Sequence, residues 1–139
     1  MRSLRKITEI MKKILVIEDD PFLSEIYITK LAKSGFAAEA ALDGKAGVIR
    51  AKATKPDLIL LDIVLPKIDG FEVLMEIKKD ARLKMIPVIL LTNLSQKEEV
   101  EKGMGLGASA YIIKANFTPT AVVDKIKEIL CTTNNINKN

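Results

Sequence analysis

Five short apolar runs alternate with segments of helical spacing along the chain. The runs are rich in β-branched or small apolar residues and cover 13–17, 36–42, 57–61, 86–91 and 110–114. Continuous apolar strands that alternate with helical patterns are typical of a parallel sheet covered by helices on both faces. The pattern therefore predicts five strands and five helices in alternation, with the alanine-rich run 36–42 as the weakest strand.

The first helix has clear end signals. Asp20 is predicted to be its N-cap because a carboxylate can accept the free N–H groups of the first turn, and Pro21 suits the first helical position. Gly35 is predicted to end the helix because glycine tolerates the left-handed conformation found there. Helical spacing predicts one apolar face with Leu23, Ile26, Tyr27 and Leu31.

The fourth and fifth helices have signals of their own. The stretch 95–98, SQKE, is typical of a capping box. Gly103, Gly105 and Gly107 then predict a loosened end of the fourth helix, because glycine weakens a helix by about 0.5–1 kcal/mol relative to alanine. The pair 118–119, Thr-Pro, predicts the start of the last helix, whose apolar stripe has Val122, Ile126, Ile129 and Leu130.

Polar side chains follow four of the five strands directly. In an open parallel sheet, ligands bind beyond the carboxyl ends of the strands, where the strand order reverses. A doubly wound, flavodoxin-like α/β fold with strand order 2-1-3-4-5 would bring the ends of the first and third strands side by side. The polar residues that this fold would gather in one crevice are Glu18, Asp19, Asp62, Thr92 and Lys114.

Three carboxylates in contact need a counter-cation, because like charges repel and buried carboxylates lose their hydration. A divalent cation held by Glu18, Asp19 and Asp62 would meet that need. Mg²⁺ prefers few carboxylates and often a phosphate oxygen, so such a site leaves room for a phosphoryl group. Asp62 could then act as a carboxylate nucleophile, with Thr92 and Lys114 contacting phosphoryl oxygens.

The composition of the 139-residue chain excludes several other kinds of chemistry. The chain has no histidine, which excludes a Ser-His-Asp triad, a histidine base and a phosphohistidine of its own. A single cysteine, Cys131, excludes an internal disulfide and favours a reducing, cytoplasmic location. The net charge is +4 but only 4% of residues are aromatic, so we expect no direct nucleic-acid binding. We also expect no membrane span, because no apolar run approaches about 20 residues.

Four motifs in order, ILVIEDD, LILLDIVLPKIDG, IPVILLTN and GASAYIIK, resemble the receiver domain of two-component response regulators. The resemblance covers residues 12–131. It implies Mg²⁺-dependent phosphorylation of Asp62 by a sensor histidine kinase or a histidine phosphotransfer protein. It also implies a signalling domain that catalyses only its own phosphorylation and dephosphorylation.

The resemblance assigns a function to each matching position. Asp62 matches the phosphoacceptor, Glu18 and Asp19 match the acidic pair of the metal site, and Val64 would lend its backbone carbonyl to the metal. The remaining matches are Thr92 and Tyr111 as the switch pair, Lys114 as the family's lysine, and Pro66 and Gly70 in the turn after the phosphoacceptor.

Two positions depart from the family pattern. The family usually has proline after the lysine, in a cis peptide, whereas Ala115 follows Lys114 here. A cis bond before a residue other than proline costs about 2.5–4 kcal/mol, so we expect a trans peptide. The family also usually has a small residue after the threonine. Asn93 at that position is expected to narrow the site or to form a hydrogen bond within it.

The signal is expected to leave through the face formed by the fourth helix, the fifth strand and the fifth helix, toward a protein target that the sequence does not identify. We expect a monomer or a phosphorylation-dependent dimer. Residues 1–11 are predicted to be an N-terminal extension, 12–131 the receiver domain and 132–139 a polar tail.

Three alternatives are open. The chain could be the receiver fragment of a longer regulator with a DNA-binding or enzymatic output domain. A small phosphohydrolase of the haloacid-dehalogenase type would need Asp-x-Asp after the first strand, and neither Asp19 nor Asp62 is followed by that pattern. A flavodoxin-like FMN binder would need a phosphate loop after the first strand, where this chain has acids that repel phosphate.

Overall fold

The structure is a computed structural model that describes the backbone of residues 11–137 and the side chains of 11–132. Apart from Met11, the predicted N-terminal extension lies outside the described residues. The elements, in chain order, are β1 Lys13–Ile17, α1 Pro21–Lys33, β2 Ala37–Ala41, α2 Gly44–Thr54, β3 Leu58–Leu61, α3 Gly70–Lys79, β4 Val88–Thr92, α4 Lys97–Gly105, β5 Ala110–Ile113 and α5 Pro119–Asn137, with a short 3₁₀ turn at Lys114–Asn116.

The five strands form one parallel sheet in the order β2-β1-β3-β4-β5, which confirms the predicted fold class. In the register of the two central strands, Ile17 lies beside Leu61. The ladder continues one step further, because Asp62 donates its backbone N–H to the Ile17 carbonyl over 3.0 Å. Glu18 and Asp62 are therefore the first residues beyond two adjacent strand ends.

Each face of the sheet is covered by its own helices. In β1, Ile14 and Val16 pack toward α1 and α5, whereas Leu15 and Ile17 pack toward α2 and α3. All four side chains are at most 1% exposed. Burial of each such side chain contributes about 1.5–3 kcal/mol, so β1 anchors both halves of the core. This packing makes the strand ends that carry the polar residues rigid.

The start of α1 matches its prediction. The Asp20 side chain accepts the backbone N–H groups of Phe22 and Leu23 over 2.9 and 3.3 Å, and Gly35, at φ 91°, follows the helix. The predicted apolar face is wrong at Ile26, which is 46% exposed. One more residue of that face, Tyr27, is buried but lies beneath the polar strand ends.

The predicted capping box of α4 is wrong by one residue. The helix begins at Lys97, and its capping contact joins the Gln96 N–H to the Glu99 carboxylate over 3.1 Å, so the capping box is one residue later than predicted. The predicted loosening at Gly103 stays a prediction, and the structure adds a packing reason for this glycine. A β-carbon there would lie 2.5 Å from the Leu90 side chain, so this glycine allows close packing of α4 on the sheet.

The last helix extends further than the sequence predicts. Thr118 accepts the N–H of Ala121 over 3.1 Å, which caps the first turn as predicted. The helix then continues to Asn137, past Cys131. The Thr132 hydroxyl donates to the Glu128 carbonyl over 3.0 Å within this last part of the helix. The segment 132–137, predicted as a polar tail, is thus a continuation of α5.

Candidate functional site

Three carboxylates meet at the carboxyl ends of β1 and β3. Ligand oxygens of Glu18, Asp19 and Asp62 lie within 4.8 Å of one another. Glu18 and Asp62 are buried at 3% and 6% exposure, whereas Asp19 is exposed. The cluster therefore has one side open to solvent and two ligands held in the protein. This is the juxtaposition that the strand order predicts.

Lys114 provides the positive charge in this cluster. It follows β5, and its ammonium group donates to Glu18 Oε1 over 2.7 Å and to Asp62 Oδ2 over 2.8 Å. Burial by itself lowers the pKa of Lys114, but the hydrogen bonds to Asp62 and Glu18 outweigh burial and raise that pKa above its usual value. Lys114 therefore stays charged and stabilises the two buried acids.

Glu18 is an acid with a raised pKa. Burial and the neighbouring Asp62 together raise the pKa of Glu18 to about 7, although Lys114 opposes the change. The oxygen Glu18 Oε2 is buried and has no hydrogen-bond partner. The single ammonium group of Lys114 thus does not satisfy all the buried carboxylate oxygens, and a second cation could bind to the remaining one.

Asp62 is fixed by its backbone as well as by Lys114. Its Oδ1 accepts the Val64 N–H over 3.2 Å, which orients the carboxylate toward the open side. Gly70 packs directly beneath it, because a β-carbon at that position would lie 2.2 Å from the Asp62 carbonyl oxygen. The Gly70 N–H donates to the Ile63 carbonyl over 2.8 Å and closes the loop. The position therefore tolerates no side chain.

Thr92 and Tyr111 are linked through Leu94. Thr92 ends β4 with 0% exposure, and its hydroxyl accepts the Leu94 N–H over 3.3 Å. The half-buried Tyr111 donates its hydroxyl to the Leu94 carbonyl over 2.6 Å. A shift of the Thr92 hydroxyl would therefore move the same backbone segment that holds the Tyr111 ring.

The peptide between Lys114 and Ala115 is trans, since no cis peptide occurs between residues 11 and 137. This confirms the expectation drawn from the missing proline. The Asn93 side chain forms the hydrogen bond foreseen for it: its Oδ1 accepts the Ala115 N–H over 3.2 Å. The loops that follow β4 and β5 are thus joined at the rim of the site.

The residues of the cluster fit a divalent cation. All its donors are carboxylate oxygens, the ligands of hard cations, and the unpartnered Glu18 Oε2 is a buried oxygen without a hydrogen-bond donor. Sequence reasoning found every charged member of this cluster. It missed Tyr27, which lines a small cavity beneath the carboxylates, because a tyrosine in an apolar helical stripe looks like an ordinary core residue.

Comparison with known proteins agrees with this geometry. The chain matches the family model of the response regulator receiver domain over residues 14–127. It is 36% identical over 126 residues to the DNA-binding dual master transcriptional regulator RpaA of Synechocystis sp., covering 91% of this chain and 52% of that protein. It is also 36% identical to the alkaline phosphatase synthesis transcriptional regulatory protein PhoP of Bacillus subtilis, covering 86% of this chain and 48% of PhoP.

Solved structures show the same fold. A CheY-like response regulator receiver domain protein from Methanospirillum hungatei has a TM-score of 0.84 at 28% identity, covering 90% of this chain and 98% of that one. The receiver domain of the Francisella response regulator 1452 has a TM-score of 0.81 at 26% identity, covering 88% of this chain and 98% of that one.

The fold and the family match define a signalling domain. The chain belongs to the response regulator receiver domain family of two-component systems. It spans about half the length of the curated relatives that it matches. Within residues 11–137, no helix is both long and apolar enough to cross a membrane.

Proposed function

We propose that this chain is a phosphoacceptor switch of a two-component phosphorelay and that Asp62 receives the phosphoryl group. The observation that carries the proposal is the hydrogen bond of 2.8 Å between Lys114 and Asp62 inside a cluster of three carboxylates. This pairing places the carboxylate nucleophile beside an ammonium group that can contact the phosphoryl oxygens after transfer.

The partner in the transfer is the phosphohistidine of a sensor histidine kinase or of a histidine phosphotransfer protein. An oxygen of Asp62 attacks the phosphorus, a phosphorus–oxygen bond forms and the phosphorus–nitrogen bond breaks. The electron pair of the broken bond leaves with the imidazole nitrogen, which takes up a proton. Lys114 then moves from the carboxylate to a phosphoryl oxygen, and Thr92 donates its hydroxyl to another.

The metal of this site is Mg²⁺ in our proposal. Glu18, Asp19 and Asp62 would hold it with their carboxylates, and Val64 with its backbone carbonyl. When bound, Mg²⁺ neutralises charge on the phosphoryl oxygens and so favours the transfer. Asp19 would hold the ion from the side open to solvent, and Glu18 would hold it from the buried side.

Phosphorylation by a small acyl phosphate tests this function without knowledge of the partner. The full chain is incubated with acetyl phosphate, with either Mg²⁺ or a chelator, and its intact mass is measured. We expect one added phosphoryl group that is labile to alkali and absent with the chelator. A chain that stays unmodified with Mg²⁺, or is modified equally with the chelator, would contradict the proposal.

A second candidate is the receiver portion of a longer transcriptional regulator. The named relatives are transcriptional regulators, and this chain spans about half of their length. In that case DNA binding would belong to a segment outside this sequence, and the phosphorylation of Asp62 would control it. Sequencing of the genomic region downstream of codon 139 would reveal such a segment, and an immediate stop codon would exclude it.

The phosphorylated form is expected to lose its phosphoryl group slowly. Val64, which is 61% exposed, and the half-buried Leu94 flank the site two residues after Asp62 and Thr92. Both are apolar and cannot hydrogen-bond a hydrolytic water. We expect Val64→Asn with Leu94→Glu to shorten the phosphoryl lifetime, measured by mass after donor removal. A wild-type lifetime of seconds would contradict this expectation.

The output surface is expected to be the α4-β5-α5 face. Thr92 and Tyr111 hold the same backbone at Leu94, so withdrawal of the Thr92 hydroxyl toward a phosphoryl oxygen releases the segment that keeps Tyr111 in place. Hydrogen exchange with and without beryllofluoride, a phosphoryl mimic, measures this shift. We expect the largest changes in residues 92–117. Changes confined to α1 or α2 would exclude this route.

A further inference from the structure

A small cavity lies beneath the three carboxylates, between the sheet and α1. Its polar wall is formed by Glu18, Asp62, Lys114 and Tyr27, and the rest of its wall is apolar. The cavity leaves about 10 Å³ for the centre of a water-sized sphere, which is about the space that one water molecule needs. The polar groups around it are therefore within reach of one another, directly or across one water.

One oxygen in this wall lacks a hydrogen bond. Asp62 Oδ1 accepts the Val64 N–H, whereas Asp62 Oδ2 and Glu18 Oε1 both accept Lys114. That leaves Glu18 Oε2, which is buried and unpartnered. A buried carboxylate oxygen without a donor is costly, because it has lost its water and gained nothing in return. Glu18 lines the cavity, so a donor there would satisfy this oxygen in the metal-free chain.

Tyr27 is the neutral donor available there. It lies on α1, is 3% exposed, and lines the cavity together with Glu18. Lys114 and Asp62 line the same small cavity, so Tyr27 shares its wall with the charged groups of the cluster. Burial raises the pKa of Tyr27, which keeps the hydroxyl protonated and able to donate.

We propose that Tyr27 is a positioning residue of the metal site, whose hydroxyl donates a hydrogen bond to one water in the cavity that in turn donates to Glu18 Oε2. This bridge would hold the Glu18 carboxylate in place when Lys114 leaves it for a phosphoryl oxygen. Removal of a group that hydrogen-bonds to a metal ligand and so orients it commonly weakens metal affinity about 10-fold to 100-fold. The inference rests on the proposed function, because it takes Glu18 to be a ligand of Mg²⁺.

The test compares Mg²⁺ affinity in variants that keep the packing of α1. Tyr27→Phe removes only the hydroxyl, and we expect it to weaken Mg²⁺ binding about 10-fold in calorimetric titration of the full chain. Ser24→Ala is the matched control, because it removes a buried, unpartnered hydroxyl from the same helix. Its affinity should stay within about twofold of the wild type, since Ser24 does not line the cavity.

Shortening the acid separates positioning from packing. Aspartate is one methylene shorter than glutamate, so in a Glu18→Asp background the carboxylate is withdrawn from the cavity. Tyr27→Phe should then change Mg²⁺ affinity less than about twofold. An equal loss in both backgrounds would mean that Tyr27 acts through packing and would overturn the proposal. So would a Tyr27→Phe variant that binds Mg²⁺ as tightly as the wild type.

A measurement without metal distinguishes this inference from the proposed function. The chain has only two tyrosines, so the ring carbon that bears each hydroxyl gives a resolvable signal after ¹³C-tyrosine labelling. We expect the Tyr27 signal of the metal-free chain to shift in Glu18→Asp and not in Ser24→Ala. An unchanged signal overturns the inference alone. If Glu18→Asp shifts the Tyr27 signal but the wild type binds no Mg²⁺, the proposed function is overturned and the inferred hydrogen bond stands.

Discussion

Asp62→Asn is expected to abolish phosphoryl incorporation from acetyl phosphate in the presence of Mg²⁺. Asparagine keeps the shape of the side chain but replaces the nucleophilic carboxylate with an amide, so no aspartyl phosphate can form. The variant should also remain folded, because it removes one of three crowded negative charges. Intact mass after incubation measures the first expectation, and thermal unfolding measures the second.

Asp69→Asn is the matched control for this experiment. Asp69 lies in the same loop and undergoes the same chemical change, but it is the N-cap of α3, where its Oδ1 accepts the Glu72 N–H over 3.0 Å. Asparagine is about as good an N-cap as aspartate, so this variant should fold and be phosphorylated normally. Full labelling of Asp62→Asn would place the phosphoryl group elsewhere and refute the assignment.

The charged part of the site could be predicted because it depends on strand ends alone. Once the apolar runs define parallel strands and the doubly wound order places β1 beside β3, the residues after these two strands are neighbours, whatever the conformation of the loops. Glu18 and Asp62 follow those two strands, and the ladder bond from Asp62 to Ile17 places them side by side. Lys114 joins them because its flexible side chain reaches across from β5.

Other features could not be predicted because they depend on tertiary packing. The sequence predicts the capping box at 95–98, one residue too early. The helix begins at Lys97, so Gln96 and Glu99 form the capping box instead. Glycine propensity predicted a loose helix at Gly103, but this position lies against Leu90, where the missing side chain permits contact. Tyr27 matches an apolar stripe, and only the packing of α1 shows that it lines a cavity together with Glu18 and Asp62.

Gly70→Ala is expected to have the largest effect on stability of any single methyl group added near the site. The new β-carbon would lie 2.2 Å from the Asp62 carbonyl oxygen and 2.6 Å from the Ile63 α-carbon. Both are backbone atoms, so the strain cannot be relieved by turning a side chain. Overpacking of this kind costs about 1–3 kcal/mol of unfolding free energy. Chemical denaturation of both proteins measures the loss.

Gly105→Ala separates overpacking from helix propensity. Gly105 ends α4, and a β-carbon there would meet no atom within 4 Å. The same change should therefore leave stability unchanged or raise it by up to about 1 kcal/mol, since alanine favours a helix more than glycine does.

Gly70→Ala should also slow phosphorylation per folded molecule, measured well below its unfolding temperature, because the strain falls on the backbone that holds Asp62. Equal stability of the two variants would mean that α3 can move away from β3. Asp62 would then be held by the hydrogen bonds of its side chain to Lys114 and Val64 rather than by the packing of Gly70 against its backbone.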